Sequence, residues 1–323
     1  MKTIAKTLVS VCVASAISTS ALAETIVFAH GANQGNPRYE AAEMFAELIP
    51  QCTAGKYDVQ VAPSATMGDD AEQLISAQAG IINMSANSQG TTAQIIPEVG
   101  TLGLPFLFQS ESDVWRVLDG EIGQILDKKA QNAGLKIVTF WDNGFRNVTH
   151  TQKSIRTPAD IKGMKIRTPP DEVALDIFES LGANPAPLAW SELPTALRSG
   201  AFDGQENPLT NIYSAKLHEI TPYISMTGHQ YQSTPVVAGL AWWESLDETT
   251  QNCVTSAAKQ AGWYQRGRNM FEAKRLKAVL ESEGAIFSDV DYAAFVKATA
   301  PVYEKYETQY GNFLKKLKQA SEK

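Results

Sequence analysis

The sequence has little cysteine, no excess of positive charge and no apolar run as long as a membrane-spanning helix. Three cysteines occur in 323 residues, and 28 basic residues face 35 acidic ones, so the formal net charge is −7. This acidic balance argues against a nucleic-acid-binding protein, which needs a basic surface. With 44% hydrophobic residues, the chain can bury a core. We therefore expect an acidic, folded protein of about two domains.

The short motifs that identify many catalytic and cofactor sites are also missing. No GxxxxGK[ST], GxGxxG, GxSxG, CxxC or HExxH pattern occurs. The four histidines are scattered, and at His218-Glu219 the position that would carry a second histidine ligand is Pro222. No paired set of catalytic side chains stands out. The sequence therefore predicts a protein that is not an enzyme and that needs neither a cofactor nor a metal ion.

Residues 1–23 have the three zones of a cleavable signal peptide. Lysines start the segment, an apolar run follows, and 21–23 (ALA) form a small-x-small cleavage site. The apolar stretch 8–23 is 16 residues long and falls short of the 18 or more that a spanning helix needs. We therefore expect cleavage after Ala23 and a periplasmic protein that begins at Glu24.

Cleavage would remove Cys12 and leave Cys52 and Cys253. In an oxidising compartment these two cysteines could form a disulfide. They could equally be two unrelated thiols, because sequence alone cannot place their Cα atoms within bridging distance. Both alternatives stay open at this point.

Predicted strands and helices alternate along most of the chain. Alternation predicts an α/β fold with largely parallel sheets, and Asp69 with Glu72 has the pattern of a capping box at a helix start. From about residue 247 the pattern changes to long helices, which we expect to lie across the α/β body and to brace two lobes. The predicted strands are 25–29, 57–62, 81–84, 135–141 and 164–167, and the predicted helices include 38–49, 113–132, 171–181, 248–282 and 303–318.

Two arginines are expected beside loops at strand ends. Arg146 follows a predicted strand and a turn (WDNGFR), Arg167 lies in a strand that ends at Pro169, and Asn207 closes a GQENP turn. A guanidinium group can donate two parallel hydrogen bonds to a carboxylate, and ligands of open α/β sheets bind beyond the carboxyl ends of strands. The alternative is that both arginines pair with surface acids.

Seven segments resemble, in order and spacing, the DctP-type solute-binding proteins of TRAP (tripartite ATP-independent periplasmic) transporters. The resemblance implies a two-lobed periplasmic binding protein, type II-like, with a long helix bridging the lobes and a helical C terminus. Lobe I would comprise 24–144 and about 233–272, and lobe II 145–232 and about 273–323. The segments are AAEMFAELI (41–49), PSATMGDD (63–70), LGLPFLF (102–108), NGFRNVTH (143–150), DIKGMKIRTP (160–169), SLGANPAPLAWSEL (180–193) and FDGQENP (202–208).

The resemblance also implies a function and a set of ligand contacts. The protein would capture an organic acid, either a sugar acid such as a uronate or aldonate or a C4-dicarboxylate, and deliver it to the small and large permease subunits. Arg167 would form the central salt bridge to the ligand carboxylate, Arg146 would be a second polar contact, and Asn207 would face the ligand. Trp190 would form an aromatic wall, or else pack in the core.

Other positions near the implied cleft are weaker candidates. Asn87 and Gly90 stand where the sialic-acid binders of the family carry Glu and Arg, which argues against sialic acid. His30 could donate to a ligand hydroxyl or second carboxylate, or could be a buried structural histidine. Asp171 and Glu172 are expected to start a helix rather than to contact the ligand.

Two other functions remain open on the sequence. A periplasmic ligand sensor that feeds a membrane receptor would have the same pocket. A secreted carboxylate-processing enzyme, such as a lyase, would need an acid–base pair in the cleft.

Overall fold

The computed structural model describes residues 23–322, so the predicted signal peptide lies outside the described residues except for Ala23. Within this range, no helix combines the length and the apolar character that crossing a bilayer requires. Nine strands form one mixed sheet: β1 (Glu24–His30), β2 (Tyr57–Ala62), β3 (Met84–Ala86), β4 (Leu135–His150), β5 (Lys165–Thr168), β6 (Asn184–Pro187), β7 (Gly204–Asn207), β8 (Tyr223–Gly239) and β9 (Ile286–Ser288).

Fourteen α-helices in the described range surround this sheet, together with two short 3₁₀ helices at Thr101–Gly103 and Leu217–Glu219. The α-helices are α1 (Pro37–Cys52), α2 (Asp70–Gln78), α3 (Gln89–Ala93), α4 (Pro97–Gly100), α5 (Glu111–Leu118), α6 (Glu121–Asn132), α7 (Pro158–Ile161), α8 (Glu172–Ser180), α9 (Leu193–Arg198), α10 (Leu209–Ser214), α11 (Leu240–Ser245), α12 (Glu248–Ser282), α13 (Tyr292–Thr299) and α14 (Val302–Ser321).

The centre of the sheet is the long antiparallel pair β4 and β8. The strand order is β2-β1-β3-β8-β4-β7-β5-β6, with β9 also beside β8. Pairing is antiparallel at β3–β8, β8–β4 and β4–β7, and parallel elsewhere. The expectation of largely parallel sheets is therefore wrong at the centre, where two strands run through the whole molecule in opposite directions.

Two lobes form because different strands flank the two ends of the β4–β8 pair. Strands β1, β2 and β3 belong to the first lobe, and β5, β6, β7 and β9 to the second. Three register shifts interrupt the β4–β8 ladder, at Ile137/Thr139, Asp142/Gly144 and Arg146/Val148. Such bulges bend and twist a strand, so they let one continuous pair serve two differently oriented lobes. The exact lobe boundaries given above stay a prediction.

The predicted helical C-terminal region is confirmed. α12 has 35 residues, which corresponds to a length of about 50 Å. It packs on α1 and β4 at one end and on α10 and β9 at the other, and so it contacts both lobes. α14 likewise packs on α5, α6 and α8.

Local sequence signals explain several element boundaries. The capping box of Asp69 and Glu72 is present at the start of α2. The single helix expected at 113–132 is instead α5 followed by α6. A Cβ atom on Gly123 would lie 1.9 Å from the carbonyl oxygen of Leu118, so this tight junction between two helices requires glycine.

Two expected turns near the site are strands. β4 does not end near residue 141, so Arg146 lies inside the strand rather than after a turn. Asn-Gly at 143–144 suggested a turn, but Gly144, with a φ of 113°, sits at a β-bulge. Asn207 is the last residue of β7 and not part of a turn.

Cys52 and Cys253 form a disulfide in the structure, with Cα atoms 5.8 Å apart. Cys52 ends α1, and Cys253 lies near the start of α12. The bond lies beside an apolar cluster that includes Phe45 and Ile49 of α1 and Ala257 of α12. It therefore fastens two helices that already share a core.

Candidate functional site

A cleft lies between the two lobes and has an empty volume of about 720 Å³, part of it open to solvent. Four of the six predicted contacts line it together: Arg146, Arg167, Trp190 and Asn207. The structure does not place Asn87 or His30 in its wall. Other lining residues from the first lobe include Asn36, Arg38, Asp69, Asp70 and Ser88, and from the second lobe Asn211 and Ser214.

Arg167 lies in β5, next to β7, and is 1% exposed. Its Nε and Nη2 donate to the carbonyl oxygen of Leu188 at 3.0 and 2.5 Å. No carboxylate within residues 23–322 forms an ion pair with it. Burial lowers the pKa of Arg167 to about 9. The cleft wall therefore holds a buried guanidinium group that lacks a direct anionic partner.

Arg146 also lines the cleft, but its charge is already paired. It forms a bidentate ion pair with Glu206 of β7, through Nε to Oε2 and through Nη2 to Oε1, the latter at 2.8 Å. Burial raises the pKa of Glu206, but Arg146 and His229 beside it outweigh burial and lower the net value. Nη2 also donates to the backbone oxygen of Glu206, and Nη1 donates to Gln232 at 2.9 Å. One N–H of Nη1 therefore remains free to contact a ligand.

Behind Arg146, a hydrogen-bonded chain leads to the start of α8. Gln232 Nε2 donates to Asp171 Oδ2 at 2.6 Å, and Asp171 Oδ1 accepts from the backbone N–H groups of Val173 and Ala174. Burial raises the pKa of Asp171 to about 6. The expected helix-start role of Asp171 is confirmed, because it is the N-cap of α8.

Arg38 is a cleft residue that the sequence analysis missed. It lies in the first turn of α1 and donates from Nη2 to Thr234 at 2.8 Å and to Asn143 at 3.1 Å. Burial lowers its pKa, and within the described range it has no carboxylate ion pair. In the sequence, Asn36-Pro37-Arg38 indicates only the start of a helix. The one signal that could have identified Arg38 is its positive charge at a helix N-terminus, where a cation is unfavourable.

Four asparagines from both lobes form an amide network along the cleft. Asn36, the N-cap of α1, donates to Asn211 Oδ1 at 2.8 Å. Asn211 Nδ2 donates to Asn143 at 3.1 Å and to Asn207 at 3.0 Å. Asn207 is thus held by a neighbour in α10, and its amide keeps some free hydrogen-bonding capacity.

Direct contacts join the lobes across the cleft. Asp69, at the start of α2, accepts from Ser191 Oγ at 2.5 Å and from its backbone N–H at 3.2 Å. The Asn36–Asn211 bond crosses the cleft in the same way. These contacts describe a closed conformation, in which a ligand would be in reach of both lobes at once.

Trp190 is half-buried and has two roles. Its ring lines the cleft, where Cδ1 would lie 3.7 Å from a Cβ atom on Gly31. It also packs against the apolar cluster of the second lobe around Leu193 and Ile212. The aromatic-wall and core-packing alternatives therefore apply to different parts of the same side chain.

His30 and Asn87 are buried behind the wall. His30 Nδ1 accepts from the N–H of Ala32 at 3.1 Å, and burial with nearby Arg38 lowers its pKa to about 3. Asn87 accepts from Ser85 at 2.6 Å and donates to Gln73 at 3.2 Å. Both side chains brace segments whose next residue, Gly31 or Ser88, lines the cleft.

Gly90 lies in α3, where it approaches the second lobe closely. A Cβ atom there would lie 2.2 Å from Cβ of Asp171. A side chain at position 90 is incompatible with this closed arrangement. The expectation that the pocket differs from that of sialic-acid binders stays a prediction.

Comparison with known proteins identifies the family. The model of "bacterial extracellular solute-binding protein, family 7" (DctP) matches residues 28–309. The 2,3-diketo-L-gulonate-binding periplasmic protein YiaO of Escherichia coli is 32% identical over 286 residues, or 88% of this chain and 87% of that protein. An uncharacterised protein of Sinorhizobium fredii is 42% identical over 288 residues; the match covers 89% of this chain but only 53% of that longer relative.

A solved structure shows the same fold. The sugar acid binding protein of Advenella mimigardefordensis, in complex with galactonate, superposes with a TM-score of 0.90 at 30% identity, covering 93% of this chain and 98% of that chain. The motifs, the two-lobed fold and the interlobe cleft agree with these matches. The chain therefore belongs to family 7 of the bacterial extracellular solute-binding proteins, the solute-binding receptors of TRAP transporters.

Proposed function

We propose that this receptor captures a sugar acid with a single carboxylate, such as an aldonate or uronate, and passes it to the TRAP permease subunits. Arg167 binds the ligand carboxylate. The observation that carries the proposal is the buried guanidinium group of Arg167, which has no ion-pair partner within residues 23–322. An anion at this point would compensate the desolvation that lowers the pKa of Arg167 to about 9.

The rest of the cleft suits hydroxyl groups better than a second carboxylate. Arg38 also lines it, but Asp70 lies close enough to oppose the charge of Arg38, and Asp69 lines the same lobe. Carboxylate oxygens accept hydrogen bonds from hydroxyl groups but repel a second anion. Asn36, Asn207 and Asn211 add amides that can both donate and accept. This balance favours a sugar acid over a C4-dicarboxylate. The ligands named for the Escherichia coli and Advenella relatives are of the same class.

Arg146 helps to orient the ligand, but the positive charge that binds the carboxylate comes from Arg167. Paired with Glu206, it has one N–H left for the ligand, while Asn207 fixes the orientation of the bound acid. Trp190 covers the carbon chain. Capture requires no bond to be made or broken, and closure of the two lobes buries the acid.

We further propose that the chain is exported, cleaved after Ala23 and active in the periplasm. Export accords with the disulfide between Cys52 and Cys253, because such bonds persist in oxidising compartments. A receptor in this location can meet both the external acid and the membrane permease.

The test is a thermal-shift and calorimetric comparison of galactitol, galactonate and galactarate, three ligands with the same carbon chain and zero, one or two carboxylates. The chain from Glu24 should first be unfolded and refolded, to remove any ligand retained through purification. We expect galactonate to stabilise the fold by about 2.7 kcal/mol at a hundred times its dissociation constant, and galactitol to have no effect.

A panel of other aldonates, uronates, C4-dicarboxylates and keto acids completes this experiment. A larger shift with galactarate or succinate than with every monocarboxylate would overturn the assignment of ligand class. No shift with any carboxylate would overturn the role of Arg167.

A further inference from the structure

The long helix α12 exposes an apolar stripe in the middle of its length. Trp263, Tyr264, Met270 and Phe271 are 57, 41, 40 and 56% exposed, and they lie on one face of the helix around Gly267. A Cβ atom on Gly267 would meet no atom within 4 Å. Exposed apolar side chains grouped in this way commonly mark an interaction surface.

The stripe is symmetric about Gly267. Trp263 and Tyr264 precede the glycine by four and three residues, and Met270 and Phe271 follow it by three and four. If two copies of α12 crossed antiparallel at Gly267, a two-fold axis would place Trp263 against the partner's Phe271 and Tyr264 against the partner's Met270. Such a self-complementary patch is what an isologous dimer interface requires. The bare glycine lets the two helix backbones approach closely.

The charges beside the stripe have the same complementarity. α1 runs antiparallel to α12, since Cys52 is bonded to Cys253 while Glu40 accepts from Tyr264 at 2.8 Å and from Arg268 at 3.0 Å. From Glu40, the exposed Glu47 lies about 11 Å along α1, toward the N-terminal end of α12. On α12 itself, the exposed Lys274 lies about 11 Å from Gly267 in the opposite direction.

Neither Glu47 nor Lys274 has an ion-pair partner elsewhere in the part of the chain that the structure describes. The two-fold axis would bring Lys274 of each copy to the level of the other copy's Glu47. Exposed Glu43 adds a further acidic group between Glu40 and Glu47. Opposite charges would then flank an apolar centre on both sides of the axis.

We propose that the receptor forms a two-fold symmetric dimer, in which α12 of one copy crosses α12 of the second copy at Gly267. The apolar stripe forms the centre of this interface, and Lys274 and Glu47 pair across it. Because α12 contacts both lobes, the interface would lie on the helix that connects the two lobes of each receptor.

Sedimentation and light scattering of the chain from Glu24 test the oligomeric state over a range of concentrations. We expect a dimer that Phe271→Asp weakens on the order of a hundredfold, because it puts a charge in the interface centre. Ile75, which is 61% exposed on α2, supplies the matched control, and Ile75→Asp should leave the dimer unchanged. A monomer throughout would overturn the proposal, as would equal effects of the two substitutions.

A charge swap tests the orientation. Lys274→Glu should weaken the dimer about tenfold, since the two-fold axis doubles each change, and adding Glu47→Lys should restore it. Failure of the double variant to recover would refute this pairing.

A cysteine placed on the axis gives an independent measurement. Gly267→Cys should form a disulfide with its counterpart under mild oxidation, because both native cysteines in the described range are already bonded to each other. Ser256→Cys, exposed on the same helix but away from the axis, should not cross-link. Equal cross-linking at both positions, or capture of another protein in place of a second copy, would contradict the dimer.

Discussion

Arg146 and Glu206 form a bidentate ion pair that is 2% and 0% exposed, between neighbouring strands β4 and β7. Because of this ion pair, the two arginines predicted in the cleft differ in their charge environment. Arg146 is compensated within the protein, and its other hydrogen bonds tie it to Glu206 and Gln232. Arg167, in β5 on the other side of β7, has no such carboxylate partner within residues 23–322.

Replacing Glu206 should destabilise the fold. Glu206→Gln leaves the buried guanidinium group of Arg146 without its counter-charge, and we expect a loss of about 3 to 5 kcal/mol in the free energy of unfolding. Urea denaturation measures this loss. The double variant Arg146→Met with Glu206→Gln should be less destabilised than Glu206→Gln alone, because no unpaired charge remains. A double variant with additive losses would argue against a coupled pair.

Replacing Arg167 should abolish high-affinity binding while the fold stays intact. Arg167→Ala removes a charge-assisted contact worth on the order of 2 to 5 kcal/mol, which is roughly a thirty- to several-thousand-fold loss of affinity. Calorimetry with galactonate, or with the acid that gives the largest thermal shift, measures the change. The control is Arg198→Ala, which removes an exposed arginine from α9. Affinity kept within a few-fold in Arg167→Ala would remove the central contact from the mechanism.

Stability should depend on pH through His30. Its folded-state pKa of about 3 lies below its ordinary 6.5, owing to burial and Arg38. As the pH falls from about 6.5 toward 3, the unfolded state binds a proton that the folded state excludes, so stability is lost in that window. In the variant His30→Gln, the side chain binds no proton in either the folded or the unfolded state. The stability advantage of the native chain over the variant should therefore shrink by up to about 1.4 kcal/mol per pH unit on acidification.

Urea unfolding of both chains at a series of pH values checks this sign. A difference in stability that stays constant between pH 4 and 7 would show that His30 is not held neutral by the fold.

Reducing the disulfide should destabilise the first lobe. Cys52 and Cys253 are 201 residues apart in sequence, and cross-links over long loops stabilise by about 2 to 5 kcal/mol. Reductant should lower the melting temperature of the native chain. The variant Cys52→Ser with Cys253→Ser should melt at that lower temperature and should not respond to reductant. If reductant lowered the melting temperature of both proteins equally, the effect would not come from this disulfide.

Sequence patterns located elements whose signals are local. The capping box at Asp69, the long helix α12 and the β5 strand that carries Arg167 were predicted because each depends on residues close together in the chain. β4 was cut short because Asn143-Gly144 also fits a turn, and only pairing with the distant β8 turns this step into a bulge.

The site residues that sequence analysis missed, or assigned incompletely, depend on distant partners. Glu206 lies in the FDGQENP segment, but its pairing with Arg146 joins residues 60 positions apart, so no local pattern predicts it. Arg38 is buried because Asn143 and Thr234, both far along the chain, receive its guanidinium group. His30 and Asn87 were placed near the cleft, but only packing reveals that each side chain points into the wall behind it.

The unbroken course of β4 and β8 through both lobes also bears on how the protein folds. A fragment that ends between Asp142 and Ser233 would leave the first lobe without the β8 segment that pairs with β3 and β4. A fragment that starts after His150 would deprive the second lobe of the β4 segment that pairs with β7 and β8. The first lobe therefore needs stretches of chain from both sides of the second lobe. We expect the two lobes to acquire and lose their structure in one cooperative transition, because β4 and β8 are shared between them.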